Sequence, residues 1–275
     1  MSDDYTIKYP FSKLELENRF YDIWENLTAN FKATQNPKAY VLGGQAGAGK
    51  SVMIDKILQN ELQSNAIVIS GDDYRRHHPN YKLIQEQEGL LSVKYTQAFS
   101  AKITEMLIQK ASDEKYDLVI EGTFRTANTP LKTLDILKSK GYETHIAIIA
   151  TPARISRASC LERCKKQFLA DPKMARFTDP KDHDVVLENI VSNVSEVFLS
   201  GKADFISLYT RDEILYNNVK FEAKNANEII ESIGTDLKKN LGLELYEKMK
   251  DIIAFNERKE LKELGKISFD KDLEK

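Results

Sequence analysis

Tyr40-Val-Leu-Gly-Gly-Gln-Ala-Gly-Ala-Gly-Lys50-Ser51 is the stretch that decides the fold class. Ala39 to Leu42 is a short apolar run, the pattern of a buried strand. Gly44-x-x-x-x-Gly49-Lys50-Ser51 then matches a phosphate-binding loop without a gap. Val52, Ile54, Ile57 and Leu58 follow at helical spacing. The pattern thus sits between a strand and a helix, where its physics works. Glycines let the backbone curl, so that N–H groups along Gly44, Gln45, Ala46, Gly47, Ala48, Gly49, Lys50 and Ser51 can point at phosphate oxygens. The start of the helix adds unpaired N–H donors and a positive dipole end. Lys50 is expected to reach the β- and γ-phosphates of a nucleotide, and Ser51 to ligate Mg²⁺. A glycine-rich turn capped by Ser51 is the alternative, and the strand–loop–helix context weighs against it.

Working outward, Leu14, Leu16, Phe20, Ile23, Trp24, Leu27 and Phe31 fall mostly on one stripe of a helix from Phe11 to Ala33, expected to pack on the core. Beyond the loop helix, which runs to about Leu62, Ala66 to Ile69 reads as a second strand. A polar loop, Ser70 to Pro79, follows it and carries the carboxylate pair Asp72 and Asp73. In open α/β sheets ligands sit beyond the carboxyl ends of strands, so this pair is a catalytic candidate, with helix capping as the rival role. A helix over Lys94–Lys115 leads to a third strand, Tyr116–Ile120, which ends in Glu121-Gly122-Thr123. An apolar strand ending in an acid is a second nucleotide-site feature.

Further along, the pattern predicts a helix over Thr129–Lys140 stopped by Gly141, and a fourth strand over Thr144–Ala150 in which His145 faces outward. A long helix from Pro152 to Ala170 carries Arg163. Asp171 to Pro180 is turn-rich and reads as an exposed flap centred on Arg176. A helix over Asp184–Leu199 and a fifth strand over Asp204–Tyr209 complete the alternation. Strand alternating with helix implies a mostly parallel sheet covered on both faces, an α/β three-layer sandwich of the P-loop kinase kind. The expected division is a kinase domain over 1–220 and a helical, charged extension over 221–275, its tail after Asn256 a solvated helix.

At 275 residues the chain has room for a core domain plus an appendage. A net charge of −2 argues against a protein that coats nucleic acid. Cys160 and Cys164 lack a second ligand pair, which argues against zinc. Low cysteine content, an N-terminus without a basic-then-apolar leader, and no apolar run near the ~20 residues of a membrane span point to a cytoplasmic protein. No Asn-Lys-x-Asp element is present, so ATP is favoured over GTP. Arg163 and Arg176 are candidates for charge around the γ-phosphate, because the guanidinium fork matches phosphate oxygens. Asp72 occupies the place of a general base for a substrate hydroxyl.

Gly43-Gly44-Gln45, the loop through Lys50-Ser51, Gly71-Asp72 with His78-Pro79, Val119-Ile-Glu121-Gly-Thr123-x-Arg125-Thr126, Gly141-Tyr-Glu143 and Ala175-Arg176-x-Thr178 together resemble the zeta toxin family. These are kinase toxins of bacterial toxin–antitoxin pairs, and the ordered likeness runs from about Phe11 to Tyr209. The resemblance implies an ATP- and Mg²⁺-dependent kinase of the 3′-hydroxyl of the sugar in UDP-N-acetylglucosamine, which blocks cell-wall precursor synthesis. It implies Asp72 as base, Arg163 and Arg176 as charge-stabilising arginines, and Glu105, Glu121, Thr123, Arg125 and Thr133 as the sugar-nucleotide pocket. It also implies a helical antitoxin as partner. The chain departs from the family at Asp73, where Ser or Thr is usual, at Ser70, where a carboxylate often stands, and at the bulky Phe124. A kinase of another small hydroxyl substrate and a nucleotide-binding protein without turnover are the rival readings. A polynucleotide kinase would need a basic stripe that the near-neutral charge does not supply.

Overall fold

The computed structural model describes residues 5, 7–171 and 175–263. Its helices are α1 (Lys13–Thr28), α2 (Lys50–Asn60), α3 (Gly71–Tyr74), α4 (Tyr81–Glu88), α5 (Ser92–Asp113), α6 (Asn128–Ser139), α7 (Ala153–Ala170), α8 (Pro180–Leu199), α9 (Ala226–Leu241) and α10 (Leu243–Glu263). The strands are β1 (Lys38–Gly43), β2 (Ala66–Ile69), β3 (Asp117–Ile120), β4 (Glu143–Ile149), β5 (Phe205–Tyr209) and β6 (Ile214–Lys220). They form one sheet in the order β2-β3-β1-β4-β5-β6, with the first five parallel and β6 antiparallel to β5.

The period of two along β1 sends Ala39 and Val41 into the larger apolar cluster, shared with α1, α5, α6, α8 and α9. Tyr40 and Leu42 point the other way, against Met53 and Ile57 of α2. A central parallel strand buried on both faces is therefore apolar throughout, which is why it reads as a run rather than an alternation. The phosphate loop leaves β1 at the carboxyl edge of the sheet, and the ends of β2 and β3 lie beside it.

Several expectations change. The sheet has six strands rather than five. The sixth, β6, is a half-buried edge strand carrying Asn217-Asn218, and it offers neither an apolar run nor a clean alternation. Helix α1 ends at Thr28 rather than Ala33, and Leu14 is 66% exposed, off the stripe that Leu16, Phe20, Ile23 and Trp24 bury. The polar stretch after β2 is α3 followed by a 3-10 turn over Arg75–His77, with Asp72 and Asp73 in the first helical turn. His145 is buried, stacked between Tyr40 (ring centroids 4.2 Å apart) and Phe205 (4.7 Å) in the register of β1, β4 and β5.

Where it is described, the expected flap is partly packed. Ala175 is 1% exposed, residues 176–180 are half-buried, and Asp179 caps α8 by accepting from the Lys181 N–H. Pro172, Lys173 and Met174 of that segment lie outside the described residues. The C-terminal helix also differs from the solvated reading. Glu257 and Leu261 of α10 are buried, and Glu257 accepts both Nε and Nη2 of the buried Arg157 on α7, at 2.6 and 2.5 Å. The tail beyond residue 263 lies outside the described residues.

Candidate active site

The phosphate loop is fixed from beneath. Gly47 has φ +72°, and a Cβ there would stand 2.1 Å from the Ser156 carbonyl oxygen, so the loop lies flat on the first turn of α7 with no room for a side chain. Gln45 is fully buried. Its side-chain amide donates to the Thr151 carbonyl (2.7 Å) and the Ser156 hydroxyl (3.2 Å), so the side chain turns into the protein and only its backbone faces the loop interior. The Thr151 hydroxyl holds the Ala48 carbonyl at 2.6 Å. From above, Arg211 in the β5–β6 turn donates to the carbonyls of Gly47 and Ala48 and to Ser159. The Ala48 N–H donates to the Gln45 carbonyl at 3.2 Å, and with the Gly47 and Ala48 carbonyls anchored outward the other loop N–H groups are left to an anion.

Lys50 is only 10% exposed at its side chain. Its ammonium donates to the carbonyls of Gly44 (3.0 Å) and Gln45 (3.3 Å) and stands 3.6 Å from Glu121 Oε1. The other carboxylate oxygen of Glu121 accepts from the Ser70 hydroxyl at 2.7 Å. Ser70 directly precedes α3, so Lys50, Glu121 and the Asp72 turn are linked by two contacts. The carboxylate expected at position 70 is absent, and its serine instead orients Glu121.

Asp72 is held by Arg75, whose Nε donates at 2.8 Å and whose Nη1 is anchored on the Val93 carbonyl of α5 at 2.7 Å. Arg176 stands 3.8 Å from the second carboxylate oxygen. Burial alone would raise the Asp72 carboxyl, but Arg75, Arg176 and Arg163 outweigh it and hold the pKa below the usual carboxylate range. Burial raises the neighbouring Asp73 carboxyl, with the charges of Glu121 and Asp72 adding to it against Arg176 and Arg76. The adjacent acids are thus shifted in opposite directions, Asp72 down and Asp73 up.

Lys50, Asp72, Arg163, Glu105, Glu121, Thr123 and Thr133 all line one cleft of about 1070 Å³ between the phosphate loop, α3, α5 and α6. Arg176 joins it through Asp72. Its backbone N–H is held by Gln167 at 3.0 Å, and Arg163 reaches Thr178 at 3.3 Å, which ties the two arginines to one short segment. Arg125 instead pairs with Asp182 of α8 at 2.9 Å. Phe124 points away from the cleft. It is 3% exposed with φ +57°, its ring packed where a Cβ on Gly43 would come within 2.6 Å of it. Its bulk therefore takes no space from a substrate.

Arg75 and Arg211 escaped the sequence reading. Arg75 is three residues after Asp72, a spacing that pairs on a helix, and recognising α3 as helical would have found it. Arg211 lies in a turn with no local signal for the loop it holds.

ATP and Mg²⁺ fit the residues present. The lysine and loop amides suit polyphosphate, and Ser51 is exposed at the head of α2. Among the described residues no group of three or more His, Cys, Asp or Glu forms a metal cage. Mg²⁺ in phosphoryl-transfer sites takes few protein oxygens and completes its shell from water and phosphate, so no such cage is required. No described helix is long and apolar enough to cross a membrane.

The zeta toxin family model matches residues 22–220. The chain is 37% identical over 208 residues to Toxin PezT of Streptococcus pneumoniae, covering 76% of this chain and 82% of that one. It is 35% identical over 222 residues to Toxin zeta of Streptococcus pyogenes, covering 80% and 77%. It is also similar to a solved structure from the PezAT chromosomal toxin–antitoxin system of Streptococcus pneumoniae, with TM-score 0.69 and 31% identity over 85% of this chain and 98% of that one. With this match over most of its length, and with the phosphate loop, the Asp72 turn and the Glu121 strand end gathered on one cleft, the chain belongs to the zeta toxin family.

Proposed function

We propose that this zeta toxin is an ATP- and Mg²⁺-dependent kinase that phosphorylates the 3′-hydroxyl of the sugar of UDP-N-acetylglucosamine and so starves cell-wall synthesis. The observation that carries the kinase reading is the shared cleft, lined both by Lys50 of the phosphate loop and by Asp72, whose carboxyl pKa the neighbouring arginines hold down. The hydroxyl oxygen forms a bond to the γ-phosphorus, the bond from that phosphorus to the β–γ bridging oxygen breaks, and the hydroxyl proton passes to Asp72 Oδ. Lys50, Arg163 and Arg176 carry the positive charge that the spreading phosphoryl charge demands. Ser51 would hold Mg²⁺, which would supply further positive charge to the polyphosphate. A depressed pKa makes Asp72 a weak base, which suits a loose transition state: orientation of the hydroxyl comes first and the proton moves late.

Glu105, Glu121, Thr123 and Thr133 supply carboxylate and hydroxyl partners for a sugar nucleotide along the α5–α6 side of the cleft. Arg125 would join them by exchanging Asp182 for substrate. The relatives named as toxins, one of them from a toxin–antitoxin system, support the further proposal of a helical antitoxin partner that covers the ATP site. The test is phosphorus NMR of UDP-N-acetylglucosamine with enzyme, ATP and Mg²⁺. A new sugar-phosphate resonance with matching ADP is the expected result. ATP binding with no turnover of this acceptor but turnover of another hydroxyl compound would keep the kinase and replace the substrate.

A further inference from the structure

The structure assigns the C-terminal helix α10 a positioning role in nucleotide binding, exerted through α7 on the underside of the phosphate loop. This deepens the ATP-binding reading above and rests on it. Helix α7 is gripped on two sides. On one side its first turn carries the loop: Ser156 presents its carbonyl under Gly47 and accepts from Gln45 through its hydroxyl. On the other side α10 holds it by the Arg157–Glu257 pair and by Lys165–Glu260 at 2.7 Å.

A second path runs through the core. The Ser156 hydroxyl meets His183 Nε2 at 2.9 Å, and His183 Nδ1 stands 3.3 Å from Asp184 Oδ1. The same Asp184 oxygen accepts from the Tyr246 hydroxyl at 2.7 Å, and Asp184 Oδ2 pairs with Lys250 at 3.1 Å. Tyr246 and Lys250 both belong to α10. Gln45, Ser156, His183, Asp184 and Tyr246 are all buried, so this Ser–His–Asp sequence has no access to substrate and acts as a strut rather than as a hydrolytic triad.

A buried polar chain is costly when broken, because each member loses its partner where no water replaces it. Its members therefore move together. Helix α7 also carries Arg163, so the element that supports the loop carries a candidate phosphate-facing charge. Tyr246, Lys250 and Glu257 are accordingly positioning residues. They touch no substrate, and they set where the loop amides stand.

The test measures ATP·Mg²⁺ affinity of the full-length chain by calorimetry, with melting temperature and kinetics alongside. The variants are Tyr246→Phe, Glu257→Gln and Gln45→Ala, with Tyr216→Phe as control. Tyr216 also donates its hydroxyl to a carboxylate (Asp236, 2.7 Å), but on the edge strand away from α7. Tyr246→Phe and Glu257→Gln are expected to weaken ATP binding about two- to thirtyfold. The KM for the acceptor should stay unchanged, and Tyr246→Phe should be non-additive with Gln45→Ala. Tyr216→Phe is expected to leave ATP affinity alone. Equal ATP affinity in all variants, with only the melting temperature lowered, would overturn the inference and reduce α10 to a packing element. If the unaltered chain fails to bind ATP, the underlying nucleotide reading falls instead.

Discussion

The two walls of the cleft are made differently. On the phosphate-loop wall the groups proposed to face a ligand are backbone amides together with Lys50, and what fixes the loop is largely buried: Gln45 at 0% exposure, Thr151 and Ser156 beneath, Arg211 above. On the opposite wall the working groups are side chains. Asp72 rides a four-residue helix at the lip of the cleft, crowded by protein yet still reached by water, and is held by arginines from its own turn and from the segment before α8. A backbone site needs a rigid floor and tolerates little change in shape. A side-chain site needs charge balance and tolerates change in shape far better. The first wall suits a ligand part common to all substrates of a fold, the polyphosphate. The second suits the part that varies.

The sharpest way to break this contrast is Lys50→Ala, which removes the loop's own lysine; turnover by ADP release is expected to fall by at least about a thousandfold. Asp72→Asn should come next, with kcat lowered about 10²- to 10⁴-fold and ATP affinity nearly kept. If calorimetry instead shows ATP binding lost with Asp72→Asn, the two walls are not independent. Gly47→Ala tests the floor itself: at φ +72°, with Ser156 O at 2.1 Å from the added carbon, ATP affinity should drop more than tenfold and unfolding should cost about 1–3 kcal/mol less.

Asp184→Asn bears on the buried strut. Burial would raise this carboxyl, but hydrogen bonds from His183, Tyr246 and Lys250 win and hold it at about 2 against an ordinary 3.8. Because the folded-state pKa is depressed, the stabilisation is present above pH ~4 and is lost as pH falls toward 2, an effect of about 2 kcal/mol. Urea melts of the unaltered chain should therefore weaken across that window, and those of Asp184→Asn should be lower at pH 7 and flatter below pH 4. The smallest effect expected is Arg125→Ala. Its exposed pair with Asp182 contributes about 0–1 kcal/mol to stability, so any change should appear in the acceptor KM.

How much was legible follows the same division. The loop wall is written in consecutive residues, because a backbone site needs glycines at set intervals; Gly44 to Ser51 announced it, and the apolar run of β1 placed it. The parallel strands were readable because burial on both faces makes them unbroken apolar runs. Edge strand β6 was not, since half-burial leaves Ile214–Lys220 without a pattern. The Asp72 wall is legible only in part: the carboxylate pair after β2 stands out, whereas Arg75 pairs with Asp72 only because α3 is helical. The buried strut was illegible, because Ser156, His183 and Tyr246 meet only after three helices pack. The charged composition after Asn256 argued for solvation, and a paired Arg157–Glu257 inside the protein reverses that for the buried face of this end of α10.

Phe124 has one more consequence. A non-glycine residue at φ +57° directly after Glu121-Gly122-Thr123 is held there by its ring, lodged in the core beside Gly43, and by the Asn193 side-chain amide, which donates to its carbonyl at 2.9 Å. The ring works as a rivet: that stretch cannot swivel without drawing an aromatic group out into water. Crystals grown with and without nucleotide should therefore superimpose over 121–124 even where other parts of the cleft shift.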